Sequence, residues 1–314
     1  ELRMKFLIYI LVAGLATMLL TSACGGTETV QVPVDEINQL TFTGKDVGFS
    51  GPASTVSGRA EMILVNTGQR FDNLLIAKLT GGNTTDNLPA QGNQELYENL
   101  PSWVIPIGGP GKVPPGETAS ITINLEAGNY VLIRFGTDEN NVTIPAWDLR
   151  VPFTVAQSAN SLALEPDFDM LMNMIDFGYT VSDEYKPGIG RAIVKEGPHL
   201  IKITNMGKIP HEVILAKFDD GKRAVDYPGW MRNTQGNGGG NLVPIALEDG
   251  TLPTTPPPTT IWGGSTIIGT NGIAYLHTDL VPGNYLMYCT LPNSQSGNPN
   301  LSSGMIEEFS VIAK

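Results

Sequence analysis

Cys289 is the side chain with the most chemistry in reserve. It is one of two cysteines in the 314-residue chain, the other being Cys24. A thiol left without a partner in an exported protein needs a reason, and a metal-ligand origin is one. A small buried hydrophobe is the other. Its context reads Cys289-Thr-Leu-Pro-Asn-Ser-Gln-Ser-Gly-Asn-Pro-Asn300-Leu-Ser-Ser-Gly-Met305. The thiol closes one strand pattern, a turn-rich loop follows, and a thioether stands in a Gly-Met turn before the last strand. The chain has only three histidines, His199, His211 and His277. Met170, Met172 and Met174 alternate, so on a strand they share one face and serve either as soft ligands or as core.

Other chemistries are not represented. There is no nucleophile elbow, phosphate-cradling loop or paired zinc motif. The net charge of −12 argues against a nucleic-acid partner, because phosphate binding needs clustered Lys and Arg.

The elements that must carry these residues are strands. Gly (36) and Pro (23) are frequent and charged residues make up only 16%, which favours short strands joined by turns. The sequence also repeats itself once, at a period of about 140 to 155 residues. Val65-Asn-Thr-Gly-Gln-Arg-Phe-Asp72-Asn-Leu-Leu-Ile-Ala-Lys-Leu79 matches Thr204-Asn-Met-Gly-Lys-Ile-Pro-His211-Glu-Val-Ile-Leu-Ala-Lys-Phe218. Ile121-Thr-Ile-Asn-Leu-Glu-Ala-Gly-Asn-Tyr-Val-Leu-Ile-Arg134 matches Leu276-His-Thr-Asp-Leu-Val-Pro-Gly-Asn-Tyr-Leu-Met-Tyr-Cys289. Ile121, Ile123 and Leu125 alternate with polar residues as on a half-buried strand, and Gly-Asn makes the tight turn. The pattern predicts an all-β chain of two tandem antiparallel Greek-key β-sandwiches, spanning residues 36–156 and 157–314. By the repeat, His277 points away from the core as a plain surface residue, and His199 is structural. Trp103 and Trp262, each ahead of a Gly-Gly pair, are expected to pack the repeat. The Gly- and Pro-rich stretch 232–260 reads as a surface loop outside the core.

The N-terminus reads as an export signal over residues 1–23, with its true start at Met4 and an apolar run from Phe6 to Leu20. Leu20-Thr-Ser-Ala-Cys24-Gly-Gly resembles a bacterial lipobox, with Thr21 where that pattern prefers Leu. The resemblance implies lipid attachment at Cys24, a polar tether over 24–35, and a place in the cell envelope outside the cytoplasm, held to the membrane by acyl chains.

The second copy, over about residues 175–314, resembles the cupredoxins, the blue-copper superfamily. The landmarks are Asp176-Phe-Gly-Tyr179, Asn205-x-Gly207, Pro210-His211-Glu-Val213, Pro282-Gly-x-Tyr285, Cys289 and Gly304-Met305. The resemblance implies a copper cofactor held by the His211 imidazole, the Cys289 thiolate and the Met305 thioether. Asn300 stands where the family's second histidine would be. Asp72 and Arg134 occupy the places of His211 and Cys289 in the first copy, with Leu149 near that of Met305, so no ligand set is expected there. Copper oxidases and nitrite reductases of this superfamily need many more histidines, so the resemblance implies no enzyme. It implies a non-enzymatic binding or structural module, or a mononuclear copper protein for electron transfer or copper handling, with a protein redox or surface partner.

Overall fold

The computed structural model describes residues 37–45, 48–89, 100–137, 143–144, 150–158, 165–183, 192–232, 242–293 and 296–314. The stretch read as export signal and tether, with Cys24 in it, and Leu149 lie outside the described residues.

Among the described residues there is no α-helix; strands are joined by turns and short 3-10 segments. The first copy contributes β1 (Asn38–Gly44), β2 (Phe49–Ser50), β3 (Ser54–Val56), β4 (Gly58–Asn66), β5 (Asp72–Leu79), β6 (Val104–Gly108), β7 (Thr118–Leu125), β8 (Gly128–Thr137), β9 (Thr143–Ile144) and β10 (Arg150–Ala156). The second contributes β11 (Met170–Ile175), β12 (Gly178–Asp183), β13 (Ile193–Lys195), β14 (Gly197–Asn205), β15 (His211–Lys217), β16 (Trp230–Arg232), β17 (Leu242–Pro244), β18 (Thr260–Ile268), β19 (Ile273–Leu280), β20 (Gly283–Tyr288) and β21 (Ile306–Ile312).

One eight-stranded sheet, β12-β11-β14-β19-β7-β4-β1-β2, runs through both copies. The other layer consists of one sheet from each copy, β3-β10-β8-β5-β6 with β9 beside β8, and β13-β21-β20-β15-β18. The inward residues of all three sheets form one continuous core, from Phe42, Met62 and Leu74 through Ile121 and Leu276 to Tyr285 and Phe309. Met170, Met172 and Met174 are buried in it, which is the packing alternative of the two readings for that stripe.

Bonding is repeated almost atom for atom. Asn66 donates through Nδ2 to the carbonyls of Arg70 and Val113, and its Oδ1 accepts from Gly68 N. Asn205 makes the same three bonds, to Ile209 O, Ile268 O and from Gly207 N. The copies then meet through matching positions. In the shared sheet Ile121 pairs with Leu276, and between the other layers Pro110 bridges to Ser265. Each residue faces the one that stands in its own place in the other copy, so a local two-fold axis runs between them. The same holds for Thr122 and His277, 155 residues apart, whose Oγ1 and Nε2 lie 2.8 Å from each other. His277 does point away from the core, but it is half-buried against Thr122 and is no plain surface residue.

Trp103 and Trp262 both pack against the core as expected, although not as counterparts, and one further expectation changes. Trp262 directly precedes Gly263-Gly264, whereas Ile107 directly precedes Gly108-Gly109, so Trp103 is not its counterpart. Trp262 donates to Asp279 O at 2.9 Å and meets the Tyr285 ring edge-on at 5.7 Å. The stretch 232–260 is not wholly surface loop: β17, inside it, pairs as a ribbon with β16, which ends where it begins. Leu242 and Trp230 are buried in a second cluster with Phe218, Leu286, Tyr288 and Leu301, on the far face of the second copy's own sheet. Alternation in β15 explains both clusters, since Val213 and Leu215 face one side and Ile214 and Ala216 the other.

Each Gly-Gly pair lets the chain pass close against a neighbouring strand of its own copy. Gly264 has φ +145°, and a Cβ there would lie 2.0 Å from Val213 O; Gly109 has φ +148° and the same conflict with Leu74 O at 1.9 Å. Gly264→Ala is expected to destabilise the protein by about 2 to 4 kcal/mol through strain and displaced backbone. Denaturant unfolding checks this, and a loss below about 1 kcal/mol would refute it.

Candidate metal centre

His211 opens β15 directly after the Asn205-x-Gly207 turn, whose side-chain bonds set where the strand begins. Its ring is fully buried. Nδ1 lies 4.0 Å from Cys289 Sγ, and Nε2 lies 3.3 Å from Asp176 Oδ1. Asp176 sits in the two-residue turn between β11 and β12, where Lys208 N also donates to its Oδ1 at 2.7 Å. Gly207 leaves room for this pair: a Cβ there would fall 2.4 Å from Asp176 Oδ1 and 2.8 Å from His211 Nε2. Burial holds the His211 imidazole below its usual range, opposed by the Asp176 carboxylate. Burial works against the charged form of Asp176 too, but the Lys208 N–H, the His211 ring and the Ile209 N–H together hold it below the usual carboxylate range.

Cys289 follows β20 directly and is fully buried. Three N–H groups point at its sulfur: the Asn300 amide, with Nδ2 3.7 Å from Sγ, and the backbone N–H groups of Glu212 and Leu291. Burial, and after it the Glu212 carboxylate, push the thiol up to about 12, while the three N–H bonds pull it back. Glu212 is itself buried, and its Oε1 accepts from Thr290 N at 3.0 Å and Thr290 Oγ1 at 2.6 Å. It therefore fastens β15 to the residue after the cysteine.

The loop from Cys289 to Met305 is tied into a knot by its backbone. Cys289 N donates to Met305 O, Leu301 N to Cys289 O, Asn300 N to Leu291 O, and Met305 N to Asn300 O, all within 2.8 to 3.2 Å. Asn300 begins a 3-10 turn over Asn300–Ser303 that Gly304 ends at φ 102°. The Asn300 Oδ1 accepts from Asn293 Nδ2 at 3.2 Å, which assigns its NH2 to the sulfur. Asn300 and Met305 are both fully buried, and Met305 belongs to the same apolar cluster as Cys289, Met287 and Phe309.

The structure thus brings His211, Cys289 and Asn300 into side-chain contact and ties Met305 to both loop residues through its backbone. His199 and His277 lie elsewhere: His199 is held by Asp169 at 2.5 Å and Lys195 O at 2.7 Å. Asp176, Glu212 and Asn293 are the members whose roles were not read from sequence. Asp176 opens one of the landmark motifs, and Glu212 left a signal as a charge in an otherwise apolar strand, His-Glu-Val-Ile-Leu-Ala.

In the first copy the matching places hold an ion pair. Arg134 Nε donates to Asp72 Oδ1 at 2.5 Å, with both side chains buried, and Arg134 Nη1 donates to Gly48 O at 3.0 Å.

Among the described residues, no three side chains drawn from His, Cys, Asp and Glu cluster as a metal site. One imidazole and one thiol meet here, and Met305, buried in the same cluster as the thiol, carries a thioether. That set suits copper, which takes imidazole and soft sulfur ligands. A ring nitrogen facing the sulfur, with the other nitrogen fixed by a carboxylate, is how ligating histidines are held.

No family model matches the chain, and no curated protein matches it. Solved structures with some likeness include a blue copper oxidase from Nitrosomonas europaea, 14% identical, covering 88% of this chain and 86% of that one at a TM-score of 0.23. An auracyanin from Roseiflexus castenholzii is 15% identical over 45% of this chain and 94% of its own, at 0.26. Auracyanin A from Chloroflexus aurantiacus, described as a "blue" copper protein, is 17% identical over 38% of this chain and 99% of its own, at 0.26.

Proposed function

We propose that this chain is a non-enzymatic, cupredoxin-like copper protein of the cell envelope. It is built from two tandem copies, lipid-anchored at Cys24, with one copper site in the second copy made by His211, Cys289 and Met305. The observation that carries the reading is the His211–Cys289 contact: two fully buried donor side chains, Nδ1 facing Sγ at 4.0 Å, with Nε2 already held by Asp176. A buried imidazole with no ligand role would more cheaply be apolar. Copper, when bound, supplies either a one-electron couple or a soft-metal cargo. The protein's part is to fix the donors, exclude water and orient the ring. The non-enzymatic reading is supported by the histidines, since His199 and His277 are committed to Asp169 and Thr122 and do not approach the site. The anchor and location rest on the lipobox resemblance alone.

A second reading, a metal-free interaction module, is favoured by Asn300 and by the ion pair at the corresponding place in the first copy. Titration of the full-length chain in detergent with copper separates the two. One equivalent bound, with Cys289 protected from alkylation, is expected. No binding, with Cys289 alkylated equally with and without copper, would leave the module. Asp176→Asn is expected to lower copper affinity about 10- to 100-fold, as loss of a ring-orienting carboxylate does elsewhere. An unchanged affinity would show that Asp176 only closes its turn.

A further inference from the structure

We infer that the site is built to hold cuprous and not cupric copper, so that it keeps or passes Cu(I) instead of cycling between two oxidation states. This rests on the copper reading above and deepens it. Asn300 is the reason. Its oxygen, the one atom of the amide that could ligate a metal, is turned toward Asn293 Nδ2 at 3.2 Å, and its NH2 faces Cys289 Sγ. The amide therefore adds a hydrogen-bond donor to the sulfur and no ligand to a metal. Three protein donors remain, two of them sulfur. Thiolate and thioether select Cu(I), whereas Cu(II) takes nitrogen and oxygen donors in tetragonal sets.

Two further features point the same way. The sulfur accepts the Asn300 N–H, which draws density from the thiolate that a cupric ion needs most. His211, Cys289, Asn300 and Met305 are all fully buried. Cu(I) with one thiolate is neutral there, while Cu(II) leaves a net positive charge in a dry setting, which is costly. Two carboxylates oppose this, and both are already engaged: Asp176 by Lys208 N and the His211 ring, Glu212 by both donors of Thr290. The metal enters as Cu(I), so no oxidant or reductant is required.

The test uses the full-length chain and its Asn300→His variant, each titrated without oxygen against Cu(I) in bicinchoninate and separately with Cu(II). The wild type is expected to take one Cu(I) from the chelator and to show no intense visible thiolate-to-copper band with Cu(II). Asn300→His is expected to gain that band and to bind Cu(II) at least about 10- to 100-fold more tightly, the size of effect that ligand-sphere changes produce. A wild type that takes up Cu(II) with a full thiolate band overturns the inference and leaves the copper reading standing. Cu(I) binding only after Asn300→His also overturns it. Failure of both proteins with both ions defeats the copper reading itself. The wild-type comparison of the two ions decides the inference even if the variant does not fold.

Discussion

Asp72→Ala is expected to destabilise the protein by about 3 to 5 kcal/mol, the cost of leaving one buried charge without its partner. Arg134 is almost wholly buried on β8, and once Asp72 is gone the Gly48 carbonyl is the main acceptor left to its guanidinium. Asp72 also opens β5, where its backbone exchanges hydrogen bonds with Val113 and its Oδ1 accepts from Asn73 N. Both copies share a sheet and a core, so the loss is expected to appear in a single unfolding transition and not in the first copy alone. Replacing both charges by apolar residues of similar size, Asp72→Leu with Arg134→Met, is expected to cost far less, because the desolvation penalty disappears together with the attraction. Urea unfolding of the three proteins decides it. A single variant within about 1 kcal/mol of wild type, or a double variant as unstable as the single, would show that the pair does not hold the first copy together.

His211→Ala is expected to lower copper affinity by at least about 100-fold, more than loss of an outer carboxylate, because it removes the only imidazole at the sulfur. It leaves a thiolate and a thioether, and two sulfur donors do not complete even a three-coordinate site. Cys289 is buried by Leu291, Met305 and the core around them and not by His211 alone, so its slow reaction with thiol reagents in the metal-free protein should persist. That separates loss of a ligand from loss of the fold. Affinity within about threefold of wild type, measured by chelator competition, would mean that copper is held elsewhere.

Much of this was readable before any coordinates. Strand alternation, the Gly-Asn turns and the two Asn-x-Gly blocks are local patterns, and each follows from side-chain period and backbone sterics within a few residues. They are enough to mark the repeat, the all-β class and the loop from Cys289 to Met305. Where local pattern misled, longer contacts had intervened. Leu242 is drawn out of a Gly- and Pro-rich stretch into a core that lies against Trp230 and Tyr288, and His277 is covered by its counterpart from the other copy.

By itself the sequence determined which residue types stand at the site and the spacing of Cys289, Asn300 and Met305, because identity and spacing are written in one dimension. The tertiary structure decided what those residues do. Which His211 nitrogen meets the sulfur depends on Asp176, far away in the chain and brought in by the β11–β12 turn. Which end of the Asn300 amide faces Cys289 depends on Asn293 across the loop. That Asp72 and Arg134 neutralise one another depends on the register of β5 against β8. Each is a pairing of groups distant along the chain, fixed by packing and hydrogen bonding once the sheets have closed.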